Sequence, residues 1–146
     1  MSESRTEPIR GWRFWFVLPS VTELGSFDLA GQYGKKPWPT LTRMEAAPHQ
    51  LPLDATPHDA PKSMCSCGIY ARKTREQVER MLLAKLFARR RNTIYAMGQV
   101  KLWGHVIVHD SGYRAQYAYP YELTLFGGDE RVAQSLRSRY AVDVWR

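Results

Sequence analysis

Cysteine, long apolar runs and acidic side chains are all scarce in this sequence, and each shortage excludes something. The only cysteines are Cys65 and Cys67, too few and too close together for a disulfide framework. The longest apolar stretches, such as Phe14-Trp15-Phe16-Val17-Leu18, fall far short of the roughly 20 residues that cross a bilayer as a helix. Met1 to Pro8 holds no apolar run with a small-residue cleavage site, which points away from a signal peptide and towards the cytoplasm. There is no glycine-rich phosphate loop, since Gly127-Gly128 only precedes a helix start. Internal repeats and low-complexity tracts are absent as well. Aspartate and glutamate number 14 against 21 lysines and arginines, a formal net charge of +7. Such a surplus attracts polyanions and speeds encounter with them, and it carries no information about fold.

What is present describes a folded domain. Of 146 residues 44% are apolar and 12% aromatic, ordinary values for one globular core and too rich in large side chains for disorder. The expectation is a single domain over 1–146, flexible over 1–8, with a long irregular loop over 19–61.

Residues 9 to 18 alternate around Trp12, Phe14 and Phe16 and read as a first strand. From Ser20 to about Pro61 the prolines at 37, 39, 48, 52, 57 and 61 set extended or turn conformations. Trp38, between two of them, reads as the anchor of this stretch. Thr74-Arg75-Glu76-Gln77 has capping-box spacing. It predicts a helix to about Arg91 with Val78, Met81, Leu82, Leu86 and Phe87 as the buried stripe and Glu76 and Arg80 on the wet side. Thr93 to His109 alternates with Ile94, Ala96, Val100, Leu102, Val106 and Val108 on one face, interrupted by Gly98 and Gly104. Asp110-Ser111-Gly112 reads as a hairpin turn to a return strand over Tyr113 to Tyr119. A two-residue loop puts Val106 and Val108 on one face with Ala115 and Tyr117, whereas a three-residue loop sets His105 and His109 beside Tyr117 and Tyr113. The clean apolar face favours the first. Leu123 and Leu125 mark another strand, Asp129 the N-cap of a second helix with Val132, Leu136 and Tyr140 inside, and Ala141 to Trp145 a closing strand. The order predicts an α+β domain: an antiparallel, strongly bent sheet or partial barrel with two helices and a long proline-rich loop.

Two blocks carry a resemblance. Cys65-Ser66-Cys67-Gly68-Ile69-Tyr70-Ala71 is the first. The second is Gly98-x-Val100-x-Leu102-Trp103-Gly104-x-Val106, followed by His109, Gly112-Tyr113-Arg114-Ala115 and Ala118-Tyr119-Pro120. Together they resemble a group of small uncharacterised bacterial proteins, loosely over residues 10 to 145 and densely only in these blocks. Members often carry a cysteine near the position of Ala47, followed by a histidine like His58. The group has no settled activity, so the resemblance implies kinship and transfers no function.

Three constellations could carry chemistry. His49, His58, Cys65 and Cys67 are ligand types that zinc takes as a tetrahedron, and Cys-x-Cys-Gly can offer two thiolates from one turn. The same cysteines also fit a tight turn as small buried hydrophobes beside Ile69 and Tyr70, or a strained, easily reduced disulfide. Lys73, Arg75, Arg80, Lys85 and the run Arg89-Arg90-Arg91 form a basic set around the first helix. The macrodipole alone favours cations at a helix end, but three adjacent arginines exceed what a cap needs. With Lys35, Lys36, Arg137 and Arg139 they could bind phosphates, while Trp103 and Tyr95, read as exposed, could stack on bases. A solvated basic face over a second aromatic layer explains the same residues. His105, His109, Asp110 and Arg114 cluster at the hairpin and could do acid–base work, yet no serine or cysteine has a recognisable nucleophile context. The reading is therefore a non-enzymatic basic binding domain whose partner is nucleic acid, contacted through Lys85, Arg89, Arg90, Arg91 and Trp103. The alternatives are a protein–protein adaptor using the proline-rich loop and exposed aromatics, and a small hydrolase, zinc-stabilised or redox protein.

Overall fold

Every second residue of β1 (Ile9–Pro19) faces the same way, and here both faces are covered. Trp15 and Val17 enter one core, and Phe14, with Trp12 and Phe16 beside it, enters another. The computed structural model describes residues 8–32, 35–47, 59–62, 66–88 and 92–146. Within these follow β2 (Phe27–Ala30), β3 (Met44–Glu45), β4 (Ile69–Arg72), α1 (Arg75–Ala88), β5 (Ile94–Val108), β6 (Gly112–Pro120), β7 (Glu122–Phe126), α2 (Glu130–Tyr140) and β8 (Asp143–Trp145).

The strands form one strongly curved sheet that does not close into a barrel. Their order is β2-β1-β4-β6-β5-β7-β8, with β3 on β6 and a further pairing of β1 with β5. All pairs are antiparallel except β7 with β8. The long β5 is the spine: β1 runs along one edge, from Ile9↔Leu102 to Val17↔Ile94, and β6 and then β7 take the other. Gly98 has to be glycine for this crossing, because an added Cβ would stand 1.8 Å from the Glu122 carbonyl oxygen.

The larger core gathers Trp15, Leu29, Val100, Leu102 and Val106 with Val132, Leu136 and Tyr140 of α2. The smaller one lies under α1, where Val78 and Leu82 meet Phe14, Tyr95 and Met97. Both helix starts follow the sequence reading. Gln77 N–H donates to Thr74 Oγ1 at 3.3 Å while Thr74 N–H donates to Gln77 Oε1 at 2.9 Å. Asp129 accepts from the N–H groups of Arg131 and Val132, at 3.0 and 3.3 Å. On α1, Phe87 differs from its expected place in the stripe, being 91% exposed.

The stretch read as a loop over 19–61 also carries β2 and β3. Trp38 anchors it as expected. Its ring meets Trp15 edge-on at 5.5 Å, its N–H donates to the Leu29 carbonyl, and its own carbonyl accepts from the Tyr140 hydroxyl. At the hairpin, Val106 pairs with Ala115 and Val108 with Tyr113, and His109 N–H donates to the Gly112 carbonyl. The loop has two residues, Asp110-Ser111, one position earlier than a loop at Ser111-Gly112; Val106 and Ala115 share a buried face as expected, whereas Tyr117 pairs with Trp103 instead. Between Trp103↔Tyr117 and Val106↔Ala115 the register shifts, with Gly104 at φ +76° supplying the left-handed conformation the bulge needs.

Candidate functional site

The face of β5 that carries Tyr95 and Met97 is covered by α1 at one end and open at the other. The open end presents Lys101 and Trp103, and β1 sets Arg10 directly opposite Lys101. Tyr121, at the corner between β6 and β7, is fixed by its N–H donating to the Gln99 carbonyl at 2.9 Å. The Arg10 guanidinium lies 3.9 Å from the centre of the Tyr121 ring, and Lys101 Nζ lies 5.1 Å from it. Tyr117, paired with Trp103 across β5 and β6, has its ring 6.2 Å from the Trp103 ring and the Arg43 guanidinium 3.8 Å above its centre. Arg43 reaches it from the segment before β3, which is held on β6 by Met44↔Ala118 and Glu45↔Tyr117.

A cleft of about 480 Å³ opens along this surface, with Leu41, Arg43, Lys101, Trp103, Tyr119 and Tyr121 in its walls. Tyr119 is held rigidly: its hydroxyl donates to the Tyr140 carbonyl at 2.9 Å and accepts from Leu41 N–H at 2.8 Å. Burial raises its pKa against the opposing effect of that accepted hydrogen bond. Among the described residues, Arg10, Arg43 and Lys101 form no ion pair with a carboxylate. Chemically this is a set of half-exposed aromatic faces edged by uncompensated cations.

The residues named from sequence are distributed unevenly around it. Trp103 stands in the middle, half-buried against Tyr117. Lys85 is exposed on α1, on a different part of the surface. Arg89, Arg90 and Arg91 lie outside the described residues, as do His49, His58 and Cys65; Cys67 is described and half-buried, its carbonyl accepting from Arg114 Nη1 at 3.0 Å. Tyr95 does not face solvent. It is 3% exposed, because α1 closes over it and its ring packs on Phe14 and Phe16. Arg137 and Arg139 are occupied by the fold. Arg137 donates to the Val144 carbonyl and Glu130, and Arg139 pairs with Glu23 and buried Asp28. Desolvation works to lower the Arg139 pKa, but the hydrogen bond and charge of Asp28 outweigh it and the net shift is upwards.

The hairpin cluster is also engaged. Arg114 is 3% exposed; its Nε donates to His109 Nε2 at 3.0 Å and its Nη1 to the carbonyl of Lys62 at 3.3 Å as well as that of Cys67. That guanidinium ties the hairpin to the segment before β4. Asp110 is exposed, and the buried carboxylate Asp28 is committed to Arg139.

Sequence reasoning missed Arg10, Arg43, Lys101, Tyr117 and Tyr121 as a group. The one signal for them was the alternation of Lys101 and Trp103 beyond the reach of one helix. No protein-family model matches the chain, and no curated protein and no solved structure matches it either.

Proposed function

We propose that this chain is a non-enzymatic binding domain that holds single-stranded nucleic acid across the Trp103–Tyr117–Tyr121 face. The observation that carries the reading is the alternation of aromatic rings with cations that have no carboxylate partner among the described residues: Arg10 and Lys101 on Tyr121, and Arg43 on Tyr117, beside Trp103. Bases stack on such rings whatever their identity, while the neighbouring cations neutralise phosphates. A strand is favoured over a duplex because a ring can stack only on a base that is already unstacked. The net charge of +7 adds long-range attraction.

The test is a fluorescence-anisotropy titration of a labelled oligothymidylate strand and the matching duplex over several salt concentrations. The strand is expected to bind more tightly than the duplex. Trp103→Ala and Tyr121→Ala are each expected to cost about 1–3 kcal/mol if the ring stacks a base. No binding at low salt, or variants indistinguishable from the parent, overturns the reading.

A protein-interaction domain is the second reading, favoured by one observation. Leu83 and Phe87, four residues apart on α1, are 55% and 91% exposed. Affinity for a protein through those side chains would be insensitive to salt, unlike affinity for phosphates.

A further inference from the structure

Along the edge of β1 opposite β5, two short strands leave a gap. β2 pairs from Phe16 to Pro19 and β4 pairs only at Trp12, so among the described residues no strand pairs with Arg13, Phe14 and Trp15 on that side. The gap opens into a cleft of about 650 Å³, within the usual size of small-molecule sites. Its walls include Trp12, Trp38, Met44 and Met81, with Gly31 and Lys36 among the polar and small residues. Into it comes the Arg13 guanidinium. Nη1 donates to the Tyr70 carbonyl at 3.0 Å, and the group lies 4.8 Å from the Trp38 ring and 5.5 Å from the Trp15 ring. Its Nε is shut off from solvent with no hydrogen-bond partner, and no carboxylate pairs with the group among the described residues.

Arg13 is half-buried with its Nε enclosed, and a cation drawn that far into the fold ordinarily sits against a counter-charge. Arg139 in the same fold has Glu23 and Asp28. Burial pushes Arg13 down to about 10, so the group still carries its charge at neutral pH, its desolvation met by the Tyr70 carbonyl and the indole rings and, among the described residues, by no carboxylate. Nη2 lies beside Gly31, in the wall of the same cleft: an added Cβ there would stand 3.9 Å from that nitrogen and 3.9 Å from Trp38 Nε1, in van der Waals contact with both.

We propose that the cleft between β2 and β4 binds a small organic anion, its acidic head on Arg13 and its planar or apolar body against Trp38 and Met44, on the same face of β1. The head is a carboxylate or a phosphate, both of which a guanidinium holds through charge-assisted hydrogen bonds. Cations and rings elsewhere are not involved, and the inference is independent of the nucleic-acid reading.

The experiment titrates the full chain, by tryptophan fluorescence and calorimetry, with indole-3-acetate, phenyl phosphate and the neutral indole-3-acetamide. At least one anion is expected to saturate the protein, with the amide weaker by about tenfold or more, the factor that one charge-assisted hydrogen bond represents. Whichever anion binds identifies the head group. Arg13→Met is expected to abolish that preference. Gly31→Leu, which keeps the Arg13 charge and sets a bulky side chain against Nη2 and Trp38, is expected to lower anion affinity by about tenfold or more. If Arg13→Met does not fold, the comparison of acid with amide and the Gly31→Leu variant decide. Acid and amide titrating alike, neither anion saturating by about 10 mM, or Gly31→Leu binding like the parent overturns the proposal.

Discussion

Tyr140 shows how much one side chain can hold. It is fully buried, its hydroxyl donates to the Trp38 carbonyl at 2.8 Å, and it accepts from Leu29 N–H at 2.9 Å. One phenol thereby joins α2, β2 and the proline-rich stretch. Tyr140→Phe strands two buried backbone groups and is expected to cost about 1–3 kcal/mol in urea melts. Burial pushes the hydroxyl up to about 12. An acid raised in the folded state keeps its proton where the unfolded chain has already lost it. That stabilisation is complete below the ordinary value of 10.0 and is lost as pH rises towards about 12. The parent should therefore lose stability over that window more steeply than the phenylalanine variant does. In the same core Leu102 is fully buried, and Leu102→Ala is expected to cost about 2–5 kcal/mol in the same assay. Leu102 was legible in the sequence because an apolar residue at the right parity of a strand needs a core. Arg13 was not. With Trp12, Phe14 and Phe16 on one side, an arginine between them falls on the opposite face, and what encloses it there is the larger core's Trp15 and Trp38, the latter distant in sequence.

At the scale of elements, legibility followed whether the determining interactions were local. The capping box of α1 and the Asp129 cap of α2 lie within three residues of each helix start, and both are formed. Thr74→Ala removes the hydroxyl that accepts from Gln77 N–H, and a melt should show a loss of about 1 kcal/mol. The short strands β2 and β3 were invisible. They span Phe27–Ala30 and Met44–Glu45, and their strand character comes from β1 and β6, distant in sequence. The face of β5 was half legible for the same reason. Alternation separates its two faces, but the length of α1 decides where the outer face stops being core at Tyr95 and Met97 and starts being surface at Lys101 and Trp103. Gly98 offers a test of that sheet corner. With the Glu122 carbonyl 1.8 Å from where a Cβ would go, Gly98→Ala forces backbone apart and should cost about 2 kcal/mol or more by denaturant titration.

Over the whole molecule the question is where the charge acts. A surplus of +7 produces attraction to any polyanion, so weak binding alone would not identify a site. The salt slope and the chemistry of each substitution distinguish the possibilities. Removing a cation that meets a phosphate lowers the slope of log K against log salt by about 0.7 for a single strand. Arg10→Gln with Lys101→Gln removes both cations from Tyr121 while keeping the ring, so the slope should fall by about 1.4 if each meets a phosphate. Tyr121→Ala removes the stacking surface while keeping the cations, so affinity should fall with the slope nearly unchanged. Arg89, Arg90 and Arg91, the densest run of charge in the chain, supply the comparison. Exchanging all three for glutamine lowers the net charge by more than the Arg10 and Lys101 pair does. If charge alone governs, the triple variant has the larger effect on the slope. If the aromatic face is the site, the pair has the larger effect, and only Tyr121→Ala separates affinity from slope. Anisotropy titrations of the four proteins on one oligothymidylate strand read both quantities. A triple variant that accounts for all the binding would move the interface from the sheet to the arginine run, since cations beside a true stacking platform cannot be replaced without weakening the complex.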